Sequence, residues 1–376
     1  MKTHAEAGGI HRDDERWMRL ALRLARLGEG KTRPNPPVGA VVVKSGRPVG
    51  RGFHPRAGDP HAEVFALRQA GRRASGATLY VTLEPCSTWG RTPPCTDAIL
   101  RSGVAAVVYG VEDPNPMHRG RAARVLKRAG IDVRSGVLRE AGTRLIEPFA
   151  KWVTSGRPFV TLKLGVSADG RIADCGGRSR WITGAPARAL VQELRQRADA
   201  VMVGAGTVCA DDPSLLPGGR PDDRLYRVVL DTVGRCPVDA RIFTDRQANR
   251  TVIATSKGCA SRRGAAYAAN GANVWRLPLV GGRTSLRQVM AQMAKLGILH
   301  VLCEGGGELA AGLIAAGLVD EYLLFMAPMI IGGGGIPAVG GAGWRLTVAP
   351  RLEFLEVRRV GTDLMIRARP AMRAVR

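Results

Sequence analysis

Three short fragments carry residues able to do chemistry: His61-Ala62-Glu63, Pro85-Cys86 and Cys95. One imidazole and two thiols are the donor set of a tetrahedral Zn²⁺ centre that keeps its fourth position open for water. Such a metal lowers the water's pKa and makes hydroxide available near neutral pH. Two thiolates cancel much of the metal's charge, so a separate proton acceptor is useful, and Glu63 stands two residues after His61. His-Ala-Glu alone is commonplace, and free Cys is usually a buried core thiol. Cys86 and Cys95, however, lie in a polar, Pro- and Gly-rich stretch where burial as hydrophobes is disfavoured.

A second candidate is Glu304-Gly305-Gly306-Gly307-Glu308, between a strand and a helix. Backbone N–H groups of such a loop, with the dipole of the helix behind them, can hold a pyrophosphate. The run is not Gly-x-Gly-x-x-Gly, and its glycines alone equally describe a tight strand-to-helix turn.

Both candidates need strand ends and helix starts to hold them. Trp17, Leu20, Ala21, Leu24 and Leu27 recur at helical spacing over 13–27, with Asp13 or Asp14 as N-cap and Gly28 as stop. Residues 38–43 predict a buried strand, turned at Ser45-Gly46 into a partner over 48–53. A helix over 61–70 ended by Gly71, a strand over 78–83, a helix over 95–101 and a strand over 104–110 follow, then a helix over 119–129 and a strand over 131–135. His61 therefore opens a helix and Cys86 directly follows a strand, where an α/β domain presents its strand ends. The second half repeats the alternation, with strands at 159–166, 200–203, 227–230, 251–254, 300–303 and 321–326 and helices at 186–197, 285–296 and 308–316. Strands alternating with helices predict an α/β layer fold with largely parallel strands. The stretch 153–158, after a helix ending near Trp152, is the expected linker, giving domains of 1–155 and 156–376. A Gly-rich loop over 337–350 precedes a final hairpin.

Composition sets the outer bounds. The 376 residues, 45% hydrophobic and 23% charged, suffice for two cores without disulfide staples. The net charge of +24 comes mostly from 48 Arg against 8 Lys, dispersed without runs or interleaved aromatics. That pattern points to compositional drift plus phosphate ligands rather than a nucleic-acid face. Seven cysteines in no regular framework fit a reducing compartment. The polar start, Met1 to Asp14, lacks the apolar core of a signal peptide, and no apolar run approaches the ~18 residues of a membrane span. A cytoplasmic protein without nucleic-acid or membrane partners is expected.

The order His-x-Glu, Pro-Cys, Cys is similar to that of zinc base deaminases, but those acting on polynucleotides or cytidine usually separate the two cysteines by two residues. Here eight intervene. With that spacing, Pro34-Asn35-Pro36-Pro37-Val38-Gly39, Gly52-Phe53-His54, Leu83-Glu84-Pro85-Cys86-Ser87, Gly90-Arg91-Thr92-Pro93-Pro94-Cys95 and Asp113-Pro114-Asn115-Pro116 closely resemble the bifunctional riboflavin-biosynthesis deaminase/reductase family. In the second half, Leu162-Lys163-Leu164-Gly165, Ser179-Arg180-Trp181-Ile182-Thr183, Gly206-Thr207-Val208 and Asp211-Asp212-Pro213 resemble the same family's reductase.

The resemblance implies an α/β chain: a cytidine-deaminase-like three-layer domain followed by a dihydrofolate-reductase-like domain. It implies zinc ligands His61, Cys86 and Cys95, with Glu63 as proton shuttle and Asn35 and His54 lining the pocket. The implied reactions replace the 2-amino group of a diaminopyrimidinone ribosylamino 5′-phosphate by oxygen, then reduce its ribosyl to ribityl with NADPH. Gly165, Trp181, Thr207, Asp211, Thr232, Gly306, Gly307, Glu308, Leu309, Ala310, Ala311 and Gly312 would contact NADPH. Lys163, Ser179, Arg195, Leu215 and Glu304 would hold the substrate, and a homodimer or higher homo-oligomer is expected. Hydride transfer needs no covalent nucleophile, so the other five cysteines are core or surface thiols. Two departures stand out. Relatives follow Ser87 with His, whereas Thr88-Trp89 stand here and a substrate-contacting imidazole is missing from that position. Relatives also follow Leu215 with a segment whose Arg reaches substrate. Leu216-Pro217-Gly218-Gly219-Arg220 replaces it here, and Arg220 either takes that role or does not.

Overall fold

Ser45 and Gly46, at φ of 50° and 70°, make a two-residue turn whose twist suits the right-handed twist of flanking strands. They join β1 (Gly39–Lys44) to β2 (Arg47–Phe53), after the amphipathic α1 (Arg12–Ala25). The computed structural model describes residues 12–90 and 92–371; Arg91 of the Gly90–Cys95 motif and most of the polar start lie outside them. The chain divides at Gly156 into two compact units.

The first unit continues with α2 (Ala62–Ala70), β3 (Thr78–Leu83), α3 (Cys95–Ser102), β4 (Ala106–Val111), α4 (Arg121–Arg128), β5 (Asp132–Ser135) and α5 (Arg139–Ser155). Its sheet runs β2-β1-β3-β4-β5. Only β3, β4 and β5 are mutually parallel; β1 is antiparallel to both neighbours, so the expected parallel sheet is a mixed one. The cause is local, because a two-residue turn can join only antiparallel strands. The period-2 alternation sorts side chains to two faces. Val41, Val43, Tyr80 and Val108 pack with Trp17, Met18, Ala21 and Leu22 of α1. Ala40, Val42, Leu79 and Val107 pack with Ala62, Ala66, Ile99 and Leu126 from α2, α3 and α4. This is the expected three-layer arrangement. A Cβ on Gly50 or Gly52 would meet the carbonyls of Ala66 or Ala62 at 2.1 and 2.3 Å, so α2 lies backbone-close on β2. The linker is shorter than expected. Thr154 and Ser155 donate their hydroxyls to Ala150 O and Lys151 O, continuing α5 until Gly156 at φ 65° stops it.

The second unit holds β6 (Phe159–Ser167), β7 (Arg171–Ala173), α6 (Ala185–Arg197), β8 (Ala200–Gly204), α7 (Ala205–Asp211), β9 (Tyr226–Leu230), α8 (Arg241–Thr244), β10 (Thr251–Thr255), α9 (Ser261–Ala269) and β11 (Asn273–Arg276). It then forms β12 (Leu279–Val280), β13 (Arg283–Thr284), α10 (Leu286–Lys295), β14 (His300–Cys303), α11 (Gly307–Ala315), β15 (Glu321–Ala327), β16 (Ile336–Pro337), β17 (Leu352–Val360) and β18 (Asp363–Pro370). The nine-stranded sheet runs β11-β10-β9-β8-β14-β6-β15-β18-β17, parallel as far as β15 and antiparallel beyond. Here the expected parallel strands are present. Val160, Leu162, Met202, Val228 and Val301 bury one face; Val201, Val203, Val229 and Ile253 bury the other. β14 returns between β6 and β8, so α7 and α11 both begin at the carboxyl ends of neighbouring strands, the usual location for a ligand. No helix among the described residues is long and apolar enough to cross a membrane.

Candidate metal centre and nucleotide cavity

His61 is the N-cap of α2, Cys86 follows β3 by three residues, and Cys95 is the first residue of α3. His61 Nδ1 lies 3.2 Å from Cys95 Sγ and 3.5 Å from Cys86 Sγ, and the three donor atoms fall within 4.8 Å of one another. The backbone N–H of Cys95, at a helix start, donates to Cys86 Sγ at 3.2 Å. Hydrogen bonding from the Cys95 thiol, with His61 alongside, holds the Cys86 thiol down to about 4, and the same contact pushes Cys95 up. Glu63 sits in the first turn of α2, 3% exposed, its Oε2 buried without a hydrogen-bond partner. Burial raises its pKa. A buried carboxyl oxygen left unbonded is costly, and beside a converging His-Cys-Cys set it fits a site built for a metal and a reacting proton.

Asn35 and His54 are brought together next to this cluster. The His54 ring meets the His61 ring edge-on with centroids 5.1 Å apart. Burial lowers the His54 pKa, which favours the neutral ring. Its Nδ1–H donates to Pro60 O at 3.2 Å, which leaves Nε2 to accept the Asn35 amide N–H at 3.0 Å. That fixes the Asn35 amide orientation and leaves its carbonyl oxygen to accept from a ligand. One residue was missed from sequence. His118 places Nδ1 3.5 Å from Thr88 Oγ1, thirty residues away in the chain.

In the second unit, Arg195 from α6 donates to both oxygens of Glu304 at 2.6 and 3.1 Å, and Lys163 Nζ from β6 lies 3.7 Å from Glu304 Oε2. Burial would raise the Glu304 pKa, but Arg195 and Lys163 outweigh it and hold the carboxyl low. Burial lowers that of Lys163. Ser179 donates to Asp211 at 3.1 Å. Leu215 differs: the residue is 2% exposed, at φ 57°, with its side chain in the core. Arg220 is exposed, and no structural feature ties it to the Arg195–Glu304 pair.

A cavity of about 960 Å³ opens at the starts of α7 and α11. Of the residues expected at the cofactor, Thr207, Asp211, Thr232, Gly306, Gly307, Glu308, Leu309 and Gly312 line it, as does Ser179. Ala310 and Ala311 do not; both are buried, Ala310 in the core and Ala311 close to Gly341 of the Gly-rich loop. Gly165 lies outside the wall, where a Cβ would come within 3.9 Å of Lys163 Nζ. Trp181 is also outside it, 65% exposed with the Arg188 guanidinium 4.3 Å over its ring. Glu308 is already engaged by Arg283 at 2.6 Å and by Gly341 N–H at 3.0 Å. Two helix starts and arginines Arg235, Arg283 and Arg287 on one wall suit a polyanionic nucleotide. The glycine run and the family resemblance, through Ser179, Thr207, Asp211 and Thr232, pointed to this cavity; the arginines carried no local signal.

Comparison with known proteins gives the geometry its family. Residues 11–111 match the cytidine and deoxycytidylate deaminase zinc-binding region, and residues 158–366 match the RibD C-terminal domain. The chain is 40% identical to the riboflavin biosynthesis protein RibD of Aquifex aeolicus, covering 95% of this chain and 98% of that one. It is 41% identical to RibD of Escherichia coli, over 94% and 98%. Among solved structures, Acinetobacter baumannii RibD superposes with a TM-score of 0.85 at 36% identity, covering 96% and 99% of the two chains. The Thermotoga maritima diaminohydroxyphosphoribosylaminopyrimidine deaminase/5-amino-6-(5-phosphoribosylamino)uracil reductase does so with 0.85 at 35%, over the same shares. With a zinc-deaminase unit, a reductase unit and full-length relatives on both counts, the chain belongs to the riboflavin biosynthesis protein RibD family.

Proposed function

We propose that the first unit, residues 1–156, deaminates a diaminopyrimidinone ribosylamino 5′-phosphate and the second, 157–376, reduces the deaminated product to its ribityl form, a reading supported by the Thermotoga relative's name as a deaminase/reductase. The observation that supports this reading is a pair of residue clusters, each drawn from one unit. One is the His61–Cys86–Cys95 trio beside Glu63, whose Oε2 is without a hydrogen-bond partner; the other is Lys163–Arg195–Glu304 in the unit that holds the nucleotide-sized cavity.

His61, Cys86 and Cys95 would hold zinc, whose Lewis acidity makes water a nucleophile near neutral pH. Glu63 would accept one proton of the water at Oε2 and pass it to the ring nitrogen, then carry the water's second proton to the departing amine as the new carbonyl forms. Burial raises its pKa, which makes Glu63 a stronger proton acceptor than an exposed carboxylate. Asn35, locked by neutral His54, orients the pyrimidine by accepting a hydrogen bond. The second unit's cavity would hold NADPH, which would supply the hydride for the sugar C1′. The first-turn N–H groups of α7 and α11 and the wall arginines hold its phosphates, with Arg235, Arg283 or Arg287 favouring the 2′-phosphate. Arg195 pins both Glu304 oxygens and leaves Lys163 to meet the substrate's polar groups.

Supplying the diaminopyrimidinone phosphate to zinc-replete protein tests the reading. Ammonia and the deaminated ribosyl compound are expected without NADPH, and the ribityl compound only with it; no ammonia in either case would overturn it. A homo-oligomer is part of the proposal, because edge strand β17 exposes Phe354, Leu355 and Val357, and an unpaired apolar edge invites a second chain. A cytoplasmic site is supported by free cysteines without a disulfide among the described residues.

A further inference from the structure

We propose that Thr88 and His118 together form the subsite for the substrate's phosphate in the deaminase unit, the imidazole standing on the 113–120 loop instead of at residue 88. The inference rests on the deaminase reading above.

Position fixes the first part of the argument. Thr88 is two residues beyond Cys86, so it stands within about 7 Å of that metal ligand along the chain. His118 belongs to the β4–α4 loop, which is held to the other side of the same ligand. Glu84, two residues before Cys86, is buried, and its Oε2 accepts the N–H of Asp113 at 3.2 Å and of Gly120 at 2.9 Å. Its Oε1 accepts Ala122 N–H at 3.2 Å. Inside the loop, Asp113 accepts Asn115 N–H, Asn115 Oδ1 accepts Met117 N–H, and His118 N–H donates to Asn115 O. One rigid frame therefore carries Cys86, Thr88 and His118.

Chemistry fixes the second part. The reacting ring must lie inward, against Glu63 and Asn35. Thr88 and His118 are only half-buried, and they border Trp89 and Met117, 75% and 65% exposed, at the outer rim. A substituent on the ring that ends in phosphate points its far end to such a rim. There the pair offers complementary donors 3.5 Å apart: the Thr88 O–H can serve one phosphate oxygen and a His118 ring N–H another. The carboxylates of Glu84 and Asp113 nearby are committed to backbone N–H groups.

The test compares the phosphorylated substrate with its dephosphorylated counterpart on zinc-replete full-length enzyme. His118→Ala is expected to raise KM for the phosphorylated compound by roughly tenfold to a hundredfold, the scale of a lost charge-assisted hydrogen bond. It should leave kcat, zinc content and the KM of the dephosphorylated compound within about twofold. Adding Thr88→His to His118→Ala is expected to restore the lower KM. An unchanged KM in His118→Ala, or an equal rise for both compounds, would overturn the proposal. A readout independent of turnover uses ribose 5-phosphate and the His118 imidazole proton resonance, identified by its disappearance in His118→Ala. A shift on titration supports the subsite even in protein that releases no ammonia, in which case the deaminase reading alone fails; an unmoved resonance overturns the subsite.

Discussion

Glu63 combines burial, a raised pKa and an unbonded oxygen, a costly arrangement unless that oxygen handles a proton. In Glu63→Gln the amide fills nearly the same volume and His61, Cys86 and Cys95 are untouched, so zinc content and folding should match wild type. Deamination should fall by about 10²–10⁴ or more, since both proton transfers are lost. Reduction of already deaminated substrate should stay within about threefold, as for an uninvolved remote site. Deamination near the wild-type rate would remove Glu63 from the shuttle role. His300 presents the opposite case, a histidine kept neutral for structure. Its Nδ1–H donates to Arg197 O, its Nε2 accepts from Thr161 at 2.9 Å, and burial pushes it down to about 4. A folded-state pKa below the unfolded 6.5 means the folded form resists protonation. The stability it supports is intact above about pH 6.5 and is lost as pH falls towards 4, on the order of 3 kcal/mol. His300→Gln should flatten urea midpoints over that window; an unchanged slope would count against this origin. The metal trio and Glu63 were legible in the sequence because their residue types and the eight-residue gap are local signals. Thr88 and His118 were not, since thirty residues separate them and only a fold-level clamp joins them. Leu215 shows the converse, a motif match whose side chain the core consumes.

That clamp belongs to the scale of elements. Glu84, just after β3, accepts three backbone N–H groups from the β4–α4 loop and the start of α4, which is also where a helix dipole favours negative charge. Glu84→Ala strands these donors and should cost about 1–3 kcal/mol in urea unfolding. Glu84→Gln, which keeps one accepting oxygen, should cost less, and equal stability of all three proteins would show the loop is held otherwise. The elements themselves were read from periodicity with uneven success. β3, β14 and the β1–β2 hairpin were legible because apolar runs and the Ser45-Gly46 turn act within a few residues. α7 was missed because seven residues starting Ala205-Gly206-Thr207 have no helical periodicity, and β11 because a four-residue, half-exposed edge strand shows no apolar run. The linker was overestimated because Thr154 and Ser155, common loop residues, here bond back to their own helix.

At the scale of the molecule, the stop of α5 at Gly156 and the start of β6 at Phe159 leave only Gly156, Arg157 and Pro158 between the units. Every residue assigned to reduction lies beyond that point: Lys163 on β6, Arg195 on α6, Glu304 after β14, and the whole cavity wall. The second unit also owns its nine-stranded sheet and both of its covering cores, so its folding draws on apolar contacts internal to residues 157–376. A chain beginning at Arg157 should therefore fold and oxidise NADPH when given the deaminated substrate, at a rate within a few-fold of the full-length protein. It should contain no zinc and release no ammonia from the diaminopyrimidinone phosphate, because His61, Cys86 and Cys95 are gone. Circular dichroism and the urea midpoint establish folding, and loss of NADPH absorbance reports reduction. A fragment that unfolds cooperatively yet leaves NADPH unoxidised would mean that the reductase site is completed by the first unit, and the assignment of one activity to each unit would fall with it.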